Sequence, residues 1–150
     1  MIANVVTDIK TLKTKNLWHL LFSLIYFLIG GLILKKGFAV LLALFLAFGL
    51  GLLLSKIPHV TLGVGDIKML MVIAMYEQVV RVDQNPVYLV IVLFLTYIVV
   101  SFIHMSIFKF VSLFKKGITF YSYKIEKGVI TTPEAVPIFL TVITLSFLGG

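Results

Sequence analysis

Phe38-Ala-Val-Leu-Leu-Ala-Leu-Phe-Leu-Ala-Phe-Gly-Leu-Gly-Leu-Leu-Leu54 runs for 17 residues without a charge, a hydroxyl or an amide. As a helix rising 1.5 Å per residue it covers about 26 Å, close to the roughly 30 Å hydrocarbon thickness of a bilayer. It is apolar on every side, so such a helix offers no polar face to water and has to be buried all round. A strand of a closed membrane barrel would instead alternate apolar and polar residues over about ten positions, and no such alternation exists here.

Working outward, residues 17–34 form a second apolar run, broken among polar groups only by His19 and Ser23 and closed by Lys35-Lys36-Gly37. Residues 87–108 form the longest run, starting just after Asn85-Pro86, and residues 135–148 a shorter one containing Pro137. A fifth segment, 67–80, carries Lys68 and Glu77 and is expected to face other helices or water more than lipid. The expectation is an all-α fold, a polytopic transmembrane helix bundle with about five membrane helices, forming a single domain over residues 1–150.

Composition agrees with the runs. Of the 150 residues, 61% are hydrophobic and 13% charged, with a mean hydropathy of +1.15. Soluble domains are about half apolar and a quarter charged, so too little polar surface remains here to coat a water-soluble globule. The absence of cysteine excludes disulfides, zinc ribbons and thiol nucleophiles. His19, His59 and His104 lack metal-ligand spacing, so neither a metal site nor any other cofactor is expected. The opening residues lack the charged region, apolar core and cleavage site, in that order, of a signal peptide.

The net charge of +7 belongs to the flanks of membrane spans and to anionic lipid, not to nucleic acid. With Lys10, Lys13 and Lys15 on the cytosolic side, alternation of the spans adds Lys56, Lys68, Lys109, Lys115, Lys116, Lys124 and Lys127 to that side. The outer side keeps Lys35, Lys36 and Arg81, ten basic residues against three. This bias orients the chain in the plasma membrane and places Asp8 and Asp66 at one cytosolic face. Residues 109–132 then read as a cytosolic loop whose Phe and Tyr residues interleave with lysines, suited to an anionic membrane surface. Contact with a substrate is the alternative for that loop.

Six acidic residues exist, few enough to weigh singly. Asp83 and Glu126 read as solvated, and Glu134 either caps a helix or lines a site. Glu77 lies three helical turns beyond Asp66, on the order of 16 Å away, in a lining or interfacial position. Asp66 sits in Leu62-Gly-Val-Gly-Asp-Ile-Lys-Met-Leu70. Two glycines just before it permit close backbone approach, a helix starting at Asp66 turns its positive end toward the carboxylate, and Lys68 supplies a nearby cation. A plain helix N-cap is the alternative. Asp8, in Thr7-Asp-Ile-Lys-Thr-Leu-Lys-Thr-Lys-Asn16, reads by itself as a charged stretch beside the membrane. Two carboxylates brought together, however, share a proton, one acting as general base on water and the other as acid toward a scissile carbonyl.

The stretch Gly63-Val-Gly-Asp-Ile-Lys-Met-Leu70 resembles the G-x-G-D-x-K-x-L signature of type IV prepilin peptidases, the GxGD intramembrane aspartic proteases. Asp8-Ile-Lys-Thr11 is similar to that family's first motif, and Asn16 falls at its Asn spacing, with Thr14 and Lys15 where the family has Ile and Pro. The resemblance covers nearly the whole chain. It implies Asp8 and Asp66 as catalytic residues, with support from Gly63, Gly65 and Lys68 and, for the first motif, from Lys10, Thr11 and Asn16. The implied reaction is hydrolysis of the leader of prepilin-like precursors, the implied partners, at the cytosolic membrane boundary. Larger relatives carry a tetracysteine domain and also N-methylate the product; without cysteine, no methyltransferase activity is expected. Seven residues precede Asp8, about 10 Å of helix, so the helix that supports this aspartate in the family is expected to be truncated here. The rival expectation is a noncatalytic membrane component, either a degenerate paralogue that binds leaders or an assembly partner of a pilus or secretion system.

Overall fold

A computed structural model describes residues 16–57, 62–114, 124–126, 129–131 and 135–148. These form five α-helices and one small hairpin: α1 (Asn16–Leu28), α2 (Gly37–Ser55), α3 (Val64–Val80), α4 (Pro86–Phe114), β1 (Lys124–Glu126), β2 (Val129–Thr131) and α5 (Ala135–Leu148). The fold is all-α, as the apolar runs require. Three stretches, Asn16–Ile33, Gly37–Ser55 and Pro86–Ile107, are long and apolar enough to cross a membrane.

The described residues divide into two compact units, those of 15–94 and those from 95 onward. In the first, α1 passes without a break into a π-helical segment, Ile29–Ile33. Gly30-Gly31 lies inside that segment, and the turn beyond it is closed by Leu34 N–H to Ile29 O at 3.0 Å and Lys36 N–H to Gly30 O at 2.8 Å. Lys35 takes the left-handed conformation, φ 54°, that ends many helices. The tightness of the turn has a steric basis, because a Cβ on Gly30 would lie 2.5 Å from Val40 Cγ2 and one on Gly37 3.1 Å from Gly31 Cα.

Helix α3 packs against both α1 and α2. It buries eight of its 17 residues, Glu77 and Gln78 among them, whereas α1 buries only His19. The two charges that lower the hydropathy of 67–80 thus mark the helix most enclosed by protein in this unit, in keeping with the cost of charge in lipid. Gly51 of α2 leaves room for α3: a Cβ there would stand 2.8 Å from Ile67 Cγ2. Overpacking of this kind costs about 1–3 kcal/mol. Gly51→Val is therefore expected to lower stability by about that amount, measured by thermal unfolding in detergent, with Gly49→Val as a control because a Cβ at Gly49 meets nothing within 4 Å. Trp18, Phe22 and Tyr26 stack along α1 at 6.2 Å centroid spacings, and Tyr26 meets Tyr76 of α3 at 5.6 Å.

Asn85 and Pro86 start α4 in the way their chemistry favours. The Asn85 Oδ1 accepts Val87 N–H at 2.8 Å, and Pro86 takes the first helical position, where its missing donor is harmless. In the second unit, α4 continues to Phe114, beyond the expected end of the span at residue 108. No glycine or proline interrupts the chain before Gly117, so nothing stops the helix at Lys109. The expected loop 109–132 is correspondingly shorter, and residues 124–131 within it hold β1 and β2, antiparallel with Ile125 opposite Ile130. Along α5, Ala135, Ile138, Thr141 and Leu145 make one buried stripe. The hydroxyls of Thr141, Thr144 and Ser146 donate to the carbonyls of Pro137, Leu140 and Val142 at 2.8–2.9 Å, which satisfies them within the helix.

Candidate functional site

The glycine-flanked motif opens α3, but the helix begins two residues earlier than expected. Gly63, with extended backbone (φ −77°, ψ 162°), is the N-cap, and Val64 is the first helical residue. Asp66 is consequently the third helical residue, neither the helix start nor the N-cap. The Gly63 N–H donates to Asp66 Oδ2 at 3.0 Å, while Asp66 N–H and Ile67 N–H donate to Gly63 O at 3.1 Å. This is the carboxylate half of a capping box; glycine has no side chain with which to supply the other half.

The reason for a glycine at 63 is space. Its φ is open to any residue, but a Cβ there would lie 2.9 Å from Asp66 Oδ2, in the path of the folded-back carboxylate. Gly65 occupies the second helical position and is half-buried. Asp66 itself is half-exposed at the positive end of the helix, where an anion is favoured.

Lys68 follows Asp66 by two residues, about 200° around the helix, so the two side chains leave α3 on different flanks. Its Nζ donates to Asn16 Oδ1 at 3.1 Å, a bond between residues 52 apart in sequence. Lys68 thus makes a tie between the start of α3 and the start of α1. Asn16 from the first motif and Lys68 from the second are thereby brought together at one end of the 15–94 unit.

A groove of about 500 Å³ opens at this tie, with Asn16, His19, Ser23 and Lys68 set among apolar side chains of α1 and α3. His19 is only 6% exposed, and its Nε2 has no hydrogen-bond partner among the described residues. Neither His19 nor Ser23 stood out as a site residue in the sequence. A signal was nonetheless present, since Asn16, His19 and Ser23 fall at i, i+3 and i+7, one polar stripe on an otherwise apolar helix.

The other end of the unit is polar as well. Lys36 Nζ, from the α1–α2 turn, contacts Asp83 Oδ1 at 3.0 Å and Val82 O at 3.1 Å in the α3–α4 turn. The Asp83 side chain is 90% exposed, the solvated position its sequence surroundings imply. Glu77 Oε2 meets Arg81 Nε at 3.3 Å, with side-chain exposures of 5% and 16%. Asp8, Lys10 and Thr11 lie outside the described residues. Among the described residues no three His, Asp or Glu side chains come together as a metal would require. Comparison with protein-family models, with curated proteins and with solved structures finds no match to this chain.

Proposed function

We propose that the chain is a membrane-embedded aspartic endopeptidase that cleaves the leader peptide of prepilin-like precursors at the cytosolic membrane face, as its likeness to type IV prepilin peptidases implies. The observation that carries this reading is the 3.1 Å bond from Lys68 to Asn16. It joins the stretch that follows Asp8 to the helix whose first turn carries Asp66, as a two-motif site needs. Gly63 adds support, because its lack of a Cβ leaves room for the Asp66 carboxylate.

In the proposed reaction, Asp8 and Asp66 hold one proton between them. The ionised carboxylate takes a proton from water as the water oxygen bonds to the scissile carbonyl carbon, and the protonated one gives its proton to the carbonyl oxygen. The tetrahedral intermediate then collapses: the C–N bond breaks, the leaving nitrogen takes the proton held by the general base, and one hydroxyl of the gem-diol returns its proton to the other carboxylate, so that the pair again holds one proton. No metal or cofactor enters these steps. A precursor with a basic leader and an apolar helix behind it would present its cut site at the cytosolic ends of α1 and α3.

A second reading, a noncatalytic membrane component that binds leaders or assists pilus or secretion assembly, is favoured by one observation. The Asp66 carboxylate accepts the Gly63 N–H, as an ordinary helix-capping residue does. Co-expression with a prepilin-like precursor separates the two: the endopeptidase reading expects a shorter, mature product. Full-length precursor beside correctly inserted chain would overturn it.

Gly63→Ala sharpens the same assay. A methyl at 63 would displace the Asp66 carboxylate, so cleavage is expected to fall about tenfold or more, in line with the sensitivity of catalysis to displacements of about 1 Å. Insertion should persist, because alanine adopts the Gly63 backbone angles without strain.

A further inference from the structure

We propose that the groove between α1 and α3 seats about the first two turns of the precursor's apolar helix, those that follow the cut site. The precursor is the partner because the endopeptidase reading makes it so, and three observations fit its helix to this groove. The first is position. Asp66 is the third residue of α3, and its carboxylate folds back to the Gly63 N–H at the tip of the helix, a point reached from either flank. Lys68 and Met71, within the next turn and a half, form the groove's α3 wall. Much of α3 is closed, with Ile67, Leu70, Ile73, Ala74 and Glu77 buried. None of Gly65, Lys68, Val72, Tyr76 and Val79 is buried, and their i, i+3, i+7, i+11, i+14 spacing makes one stripe. That open stripe borders the groove through Lys68, so a helix leading away from a bond held at Asp66 has room on this side.

The second observation is the order of the lining. Along α1, Asn16, His19 and Ser23 alternate with Leu17 and Leu20, so polar and apolar groups recur over the whole wall, about 10 Å long. An acyl chain cannot match that alternation. A peptide helix can, because small and hydroxyl-bearing residues interleave with aliphatic ones at the same three- and four-residue spacing. The third observation is Ser23. The hydroxyls of Ser106, Thr144 and Ser146 donate to carbonyls four residues back in their own helices. Ser23 makes no such bond among the described residues and lines the groove, and its oxygen, unlike that of Ser101, is not enclosed. A hydroxyl unpaired in hydrocarbon is costly; a polar group on a second helix satisfies it, and the small serine lets that helix come close.

The chain has no cysteine, which opens the groove to disulfide mapping. Single cysteines are placed along the first four turns of a prepilin-like precursor's apolar helix. Each is co-expressed, under mild oxidation, with Ser23→Cys or with the control Phe45→Cys on α2, at a position 64% exposed. Ser23→Cys is expected to cross-link positions in the first two turns, recurring every three to four residues, about tenfold above the control, as the high effective concentration of a seated helix implies. Leu20→Cys, on the same wall, should give the same pattern and decides the matter if Ser23→Cys inserts poorly. Leader cleavage is followed in the same cells. Cleavage with cross-linking no stronger than the control would overturn the groove and leave the endopeptidase reading standing. The periodic pattern without cleavage would support the groove and overturn that reading in favour of a leader-binding component. Absence of both would overturn both. With purified components, Ser23→Leu should raise KM about tenfold at unchanged kcat, because filling the groove removes binding that substrate and transition state share. An unchanged KM would overturn the proposal.

Discussion

With Asp66→Asn in place, a co-expressed prepilin-like precursor is expected to keep its leader, the cleavage rate falling by about a thousandfold or more. The substitution is nearly isosteric, and its Oδ1 still accepts the Gly63 N–H that Asp66 Oδ2 receives at 3.0 Å. The cap therefore survives. What stability loses is the favourable interaction of an anion with the first turn of α3, about 0.3–1 kcal/mol. A thousandfold loss of rate corresponds to about 4 kcal/mol of barrier, so the two effects are well separated. Asp8→Asn should match it in rate, since a dyad loses its function with either member. Mature product appearing at the wild-type rate with either variant would end the two-aspartate reading, provided that membrane fractions hold equal amounts of inserted chain.

The second large effect lies at the opposite end of α3 and concerns stability alone. Glu77→Ala is expected to lower unfolding free energy by about 3 kcal/mol, the low end of the cost of breaking a buried ion pair. Arg81 keeps some exposure, 16%, which places the effect at that low end. Replacing both partners with apolar residues, Glu77→Met with Arg81→Met, should recover most of the loss, because the penalty comes from a stranded charge more than from lost attraction. Denaturant titration in mixed micelles reads both variants. A single variant within about 0.5 kcal/mol of wild type, the size of an ordinary surface change, would show that the pair does not hold this end of the unit together.

These two residues also show how differently parts of the molecule were written in the sequence. The run 38–54 gave its helix almost to the residue, because an uncharged stretch of that length has one stable form in lipid. Glu77 and Lys68 were legible as signs that 67–80 avoids lipid, and α3 is indeed enclosed by its neighbours. Spacing alone could not reveal what Lys68 does. Its partner Asn16 lies 52 residues away, and periodicity carries information about one helix at a time. The position of Asp66 was missed by two residues for a similar reason: the N-cap role fell to Gly63, a residue with no capping side chain, once the carboxylate folded back onto its N–H. Lys35 escaped notice because a left-handed conformation is ordinarily the mark of glycine, and glycines stand at 30, 31 and 37, on either side of it.

The stacked rings on α1 have a practical corollary. Trp18 is the chain's single tryptophan, 40% exposed and one residue from His19 at the mouth of the groove. The protein therefore contains its own optical label at the end marked by the Lys68–Asn16 bond. Light chosen to pass over tyrosine excites one known position, and its emission colour and its quenching by brominated acyl chains report the depth and wetness of that end of α1. The molecule thus permits its membrane register to be read without attaching a dye or introducing a cysteine into a chain that has none.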